Sequence, residues 1–291
     1  MPTSPLIRRR SLARELRRLR DTAELTSAEL AARARMSRPK LSRFETAERV
    51  PSVPDLSAIL AALDVTGDHW HNLIQTAKDA AERGWWESYG AAMGDRQAVY
   101  ADLEHGARTV REYQLFVVPG LLQTPAYTRA RAELARKQAR LPDVDLDRIV
   151  EAKMMRQRML TRPDGPQYEA VIEEVVALRP AAPPTVMREQ LLHLADLAEQ
   201  AGPTTVRVLP TRAQLPHHWL PRSPFSLYEY RDDPPAAAVD TETTDLVYTE
   251  SREVAPYAEL YQHVRNAALS PADSAALLRD AATTADRGGH P

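Results

Sequence analysis

The chain contains no cysteine. Disulfides, thiol nucleophiles and cysteine-based zinc sites are therefore excluded, and a reducing interior suits it. Glycine totals only 10 of 291 residues. No GxSxG elbow, Walker loop or dinucleotide loop occurs. No apolar run approaches the roughly 18 residues of a membrane span, and the start, MPTSPLIRRR, lacks the apolar segment of a signal peptide. A cytoplasmic protein without membrane attachment is expected. Lysine is scarce as well: 34 of the 38 basic residues are arginine. With abundant Ala and Pro, that bias reads as a high-GC genome rather than a functional choice.

What is present is unevenly distributed. The net charge of −2 hides a front of residues 1–50 with 13 basic and 6 acidic side chains, and a remainder with 25 basic and 34 acidic. A +7 front can release counterions from a phosphate backbone, whereas a −9 remainder is repelled by it. Any polyanion contact belongs to the front.

Leu12, Leu16 and Leu19 recur at i, i+4 and i+7, which predicts an amphipathic helix over 11–23. Arg8, Arg9 and Arg10 before it read as a mobile basic arm. Thr26 with Glu29 forms a capping box and opens a second helix. Ser37 caps a third, with Pro39 tolerated in its first turn. Ser52 and Asp55 repeat the capping signature and open a fourth helix through Leu63. A fifth, over 66–83, buries Trp70, Leu73, Ile74 and Ala77. The expectation is a compact five-helix domain over 6–83. Gly84-Trp85-Trp86 breaks the pattern, so 84–99 reads as a linker or docking segment. Two adjacent indoles are costly in water. Trp85 and Trp86 are expected to pack between domains or to form a stacking platform for a ligand.

From residue 100 to 285 an α+β unit is expected, with a small, mostly antiparallel sheet. Helices are read over 100–113, 125–140, 143–160, 184–200, 252–269 and 271–285. Strands are read at Tyr168–Ile172, Thr205–Leu209, Phe225–Tyr230, Ala237–Thr241 and Leu246–Thr249. The last three follow closely, as in a meander. Helices are placed on one face. The tail Asp286–Pro291 is expected to be disordered. The whole is mainly α with an α+β C-terminal part.

The stretch 26–47, TSAELAARARMSRPKLSRFETA, carries the most chemistry. Two short helices meet at a tight turn, and the second puts polar and basic groups at its exposed start. Major-groove reading requires that arrangement. The stretch resembles the Xre/Cro/phage-repressor class of helix-turn-helix domains over about residues 11–75. Ala31 stands where a small residue lets helix three cross closely. Leu30, Ala34, Met36, Leu41 and Phe44 take the apolar positions, and Ser42-Arg43-Phe44-Glu45 repeats an SRxE pattern.

That resemblance implies base contacts from Arg38, Pro39 and Arg43, the last one turn further on the same face. It implies phosphate contacts from Thr26, Ser27, Ser37, Lys40 and Ser42, with Arg8, Arg9 and Arg10 as further candidates. Against this stands a structural alternative in which Arg43 pairs with Glu29 or Glu45. Two departures weaken the motif. Arg35 stands in the turn and Ala47 after helix three, where glycine is common, and a left-handed backbone there costs a side chain about 1 kcal/mol.

No catalytic constellation emerges beyond residue 100, and no enzyme, cofactor or metal is expected. His217 and His218 beside Trp219 are adjacent, so they chelate one ion poorly, and no supporting carboxylate is spaced for them. Glu173 and Glu174 point apart if both lie on a strand. Gln123, in PGLLQTP, follows a Pro-Gly turn into a helix. Gln123 and Trp219 join Trp85 and Trp86 as candidate pocket or interface residues. With Leu160-Thr161-Arg162-Pro163, Val206–Pro210 and Pro224–Leu227, these motifs resemble actinomycete Xre-type regulators of the WhiJ kind across about 10–282. The resemblance implies a dimeric transcriptional regulator, a repressor, on double-stranded DNA, with a small partner protein encoded nearby. The loop 211–223, rich in Pro and His, reads as a lid or partner-specific loop. Two other readings stand beside it: an antitoxin-like module that neutralises the neighbour, and a small-molecule sensor.

Overall fold

The computed structural model describes residues 4–139, 145–241 and 244–285. Asp286–Pro291, expected as a disordered tail, and the start of the helix read over 143–160 lie outside the described residues. The chain divides into two compact units, Met1–Trp85 with Tyr230–Pro234, and Trp86–Glu229 with Pro235–Pro291.

The first unit holds α1 (Pro5–Thr22), α2 (Ser27–Arg33), α3 (Arg38–Glu45), α4 (Val53–Ala62) and α5 (Gly67–Ala80). Their starts are chemically marked. Ser4 Oγ accepts from Ile7 N at 3.1 Å, and Pro5 needs no partner for an N–H. Thr26, Ser37 and Ser52 accept from the third residue of their helices. The cap at Ser4 corrects one expectation: Arg8, Arg9 and Arg10 are turns of α1, not a mobile arm. Ile7, fully buried, anchors that early start. Leu12, Leu16, Leu30, Leu41, Phe44, Leu56 and Ile59 share one core.

The ends of α1 to α4 are followed by Glu24, Arg35, Ala47 and Asp64, all left-handed, with φ of 54, 54, 61 and 55°. Met36 N donates to Ala31 O at 2.9 Å, closing the turn over Arg35. None of these positions is glycine, so each carries the strain of a Cβ in that region. Arg35→Gly and Ala47→Gly are each expected to stabilise this unit by about 0.5–1 kcal/mol. Urea unfolding checks this, and an unchanged or lowered midpoint contradicts it.

The second unit is built on β1 (Thr109–Gln114), β2 (Gln167–Glu173), β3 (Thr204–Leu209), β4 (Phe225–Glu229), β5 (Ala236–Val239) and β6 (Leu246–Tyr248), in the order β3-β2-β1-β4-β5-β6. The pairs β1–β2 and β2–β3 are parallel, and the remaining three are antiparallel, including the expected meander. The helices are α6 (Gly94–Glu104), α7 (Pro125–Ala139), α8 (Leu146–Gln157), α9 (Glu174–Leu178), α10 (Pro184–Glu199), α11 (Ser251–Ala267) and α12 (Pro271–Ala285).

Three expectations are corrected. Helix 100–113 is in fact the end of α6 followed by the central strand β1. Gly106 turns the chain at φ 75°. Four of the strand's six residues, Thr109, Arg111, Glu112 and Gln114, are polar or charged, which hides its period of two. Glu174 begins α9 rather than continuing a strand, and its carboxylate accepts from the Thr211 N–H at 2.8 Å. Helices also cover both sheet faces. Tyr113, Val171, Phe225 and Leu227 pack with Val254, Tyr261 and Val264 of α11. On the other face, Glu112 acts electrostatically on Glu104 of α6 and Arg156 of α8.

Candidate nucleic-acid interface

The α2–α3 pair is fixed from the inside by short residues and from the outside by charge. Ala31 is buried where the helices meet, between Leu30 and Leu41, both fully buried. Glu45, 5% exposed, accepts from Arg20 Nε of α1 at 2.7 Å, while Arg20 Nη1 reaches Leu25 O at 3.1 Å. The bond to Glu45 raises the Arg20 pKa above its usual value. The SRxE carboxylate is thus a brace that holds α3 against α1. Glu29 is likewise committed: it takes the Thr26 N–H at 2.8 Å and the Thr26 hydroxyl at 2.7 Å, bonds that lower its pKa.

Both carboxylates considered as partners for Arg43 are therefore engaged elsewhere. Arg38 and Arg43 are exposed, and neither makes a side-chain ion pair among the described residues. They do not stack one turn apart as the sequence reading has it. Five residues place them about 140° apart around the helix, with Ser42 and Pro39 between them on the exposed arc. Leu41, Phe44 and Glu45 occupy the buried arc. An exposed arc of two free guanidiniums, a hydroxyl and a proline ring is the surface α3 offers.

The phosphate candidates divide. Ser37 Oγ accepts from Lys40 N at 3.3 Å, so it caps α3. Lys40 Nζ lies 2.6 Å from Asp55 Oδ1 of α4 and over the Phe44 ring. Lys40 and Ser52 hydrogen bonds hold the Asp55 carboxyl below its usual range, with Lys40 the larger cause. Asp55 is legible in the sequence only as the cap partner of Ser52, and Arg20 only as one basic residue of α1; the ties of Asp55 to Lys40, 15 residues away, and of Arg20 to Glu45 are what sequence reasoning missed. Thr26 is exposed but bonded to Glu29, Ser27 is half-buried, and Ser42 is exposed. Arg8 lies 3.9 Å from Asp79.

The other candidates belong to loops and helix ends. Trp86 is buried and meets His105 edge-on, with centroids 5.6 Å apart. Gln123 Nε2 donates to Val118 O at 2.8 Å and its Oε1 accepts from Thr128, which braces the turn before α7. Trp219 is 42% exposed and meets His263 at 6.1 Å. His217 and His218 have φ of 55 and 56°. No group of three or more His, Asp or Glu among the described residues is placed to hold a metal.

The second unit contains a buried ionic cluster that the sequence did not announce. Arg156 forms a two-pronged pair with Glu104, one arm Nε to Oε2 at 2.7 Å, and donates to Gln97 Oε1 at 2.6 Å. Lys153 Nζ donates to the same Gln97 oxygen at 2.8 Å. Tyr168 and Gln114 both donate to Glu112, at 2.7 and 2.8 Å. A side chain at Gly120 would come 3.1 Å from Lys153 Nζ and 3.3 Å from Arg156 Nη1, so the Pro-Gly turn closes directly over the cluster.

Part of the Lys153 side chain reaches solvent, but its ammonium is enclosed. Burial, then Arg156, brings its pKa down to about 7. The unfolded chain, titrating near 10.5, holds that proton to higher pH. Between those values the unfolded state binds more protons, so stability rises with pH. Lys153→Met is expected to flatten that rise, as measured by urea midpoints across the window. An equal rise in the variant contradicts the assignment.

The first unit is a helix-turn-helix fold, a DNA-binding class, and residues 11–73 match the family described as "Helix-turn-helix domain". Residues 97–280 match "Domain of unknown function (DUF5753)", and the chain belongs to that family. No curated protein and no solved structure matches the chain. No described helix is long and apolar enough to cross a membrane.

Proposed function

We propose that this chain is a cytoplasmic, homodimeric transcriptional repressor of the Xre class and WhiJ kind. Its first domain, 6–83, reads duplex DNA, and its domain from 100 to 285 senses a small effector or a neighbouring partner protein. The observation that carries the reading is the exposed arc of α3, where Arg38 and Arg43 stand free while Glu29 and Glu45 are engaged elsewhere. Arg38 and Arg43 contact base edges. Pro39 lies between them, against a thymine methyl. Ser42, Ser27 and the amide N–H groups at the start of α2 contact phosphates. Lys40 remains with Asp55 or exchanges it for a phosphate. The +7 front supplies the sequence-independent attraction.

The test is anisotropy of the intact chain with a duplex from upstream of its own gene. Affinity is expected to fall linearly in log–log form between about 50 and 200 mM salt and to exceed that for an unrelated duplex. Equal affinity for both duplexes contradicts sequence reading.

A further inference from the structure

The second unit contains a cavity of about 520 Å³. Its wall joins the 3-10 turn Gly120–Leu122, the end of α8, the turn Leu160–Arg162, the last two turns of α10 and the loop into β3. The surface is largely apolar, with Leu121, Leu122, Leu160 and Leu197 contributing side chains. No acidic residue lines it, and Arg162 is its one fixed charge. We propose that this cavity binds an amphipathic organic acid, an apolar ring or short-chain body carrying a single carboxylate that pairs with Arg162. The proposal deepens the sensor reading above by naming the ligand class.

The cavity is built before any ligand arrives. The Gln157 amide donates to the carbonyls of Gly120 and Gln123, at 3.1 and 2.8 Å, and so holds the Leu121–Leu122 wall. Arg162 opens a tight turn in which Gly165 N returns to its carbonyl at 3.0 Å. A Cβ on Gly165 would lie 2.2 Å from Met159 O, so that turn admits only glycine. The Arg162 side chain is 33% exposed, but one of its donors is left unmatched. Its Nε is buried without a hydrogen-bond acceptor, and the closest carboxylate oxygen, on Asp164, is 3.8 Å away. A cation so placed at the rim of an apolar cavity favours a ligand that supplies the missing anion. His193 adds an imidazole to the lining, and burial lowers its pKa, with Asp196 acting against that shift. The volume suits a small ligand.

The test uses 1-anilinonaphthalene-8-sulfonate, a fluorescent aromatic monoanion, titrated into the intact chain without DNA. Saturable binding at one site is expected, displaced by 1-naphthoate at least about tenfold more effectively than by the neutral 1-naphthalenemethanol. Arg162→Gln should abolish that preference while leaving displacement by the alcohol intact. Leu197→Trp, which fills the cavity, should remove probe binding, with circular dichroism confirming the fold. If Leu197→Trp does not fold, the acid-to-alcohol ratio in Arg162→Gln decides. No saturable binding, equal displacement by acid and alcohol, or a ratio unchanged in Arg162→Gln overturns the proposal. Because no DNA is present, that failure leaves operator binding intact, whereas a failure of operator binding leaves this titration unaffected.

Discussion

The double variant Arg38→Ala, Arg43→Ala is expected to lose about 100-fold or more in affinity for the upstream duplex at fixed salt, with an unchanged urea midpoint. Each guanidinium that meets a base edge bidentately is worth about 1–3 kcal/mol of discrimination. Neither residue contributes to the α1–α3 brace, which belongs to Arg20 and Glu45. Neither takes part in the α3–α4 tie, which belongs to Lys40 and Asp55. Removing both therefore isolates recognition from folding. Lys40→Ala is the instructive contrast, because it removes a cation from the interface and also frees Asp55. A double variant that binds as tightly as the parent would assign α3 to protein contacts instead.

Arg156→Ala should destabilise the second unit by about 3–5 kcal/mol, the largest stability effect expected in the molecule. Arg156 and Glu104 are 6% and 3% exposed by side chain, so each is the other's main compensation. Without the guanidinium, Glu104 is left buried near Glu112. Burial raises the Glu104 pKa even in the presence of Arg156, which lowers it. Replacing both partners, Glu104→Met with Arg156→Met, should recover much of the loss, because the desolvation cost leaves with the charges. Urea unfolding of the three variants measures this. A loss below about 1 kcal/mol for Arg156→Ala would place the pair in solvent-like surroundings.

The sequence displayed what depends on short spacings. Thr26–Glu29, Ser37–Lys40 and Ser52–Asp55 mark helix starts because a cap and its amide lie three residues apart, and the structure has all three starts. The final meander was legible because Ala236–Val239 is wholly apolar and Phe225–Glu229 carries Phe225, Leu227 and Tyr228 close before it. β1 was not, because its buried positions include Glu112 and Gln114, whose burial rests on Tyr168 and on helices far along the chain. The missed strand concealed the parallel half of the sheet as well. At the candidate interface, the helix carrying Arg38 and Arg43 could be read directly. The identity of Glu45's partner could not, since Arg20 is 25 residues away and on another helix. The early start of α1 turned on Ser4 and Pro5, which precede the leucine periodicity.

Footprinting the DNA upstream of the gene with the intact chain tests DNA reading by α3 most directly. Protection of a near-palindromic site is expected, with half-sites about one helical turn apart. The protection should vanish with Arg38→Ala, Arg43→Ala at the same protein concentration. Uniform protection without a bounded site, or a footprint that survives the double variant, would contradict it.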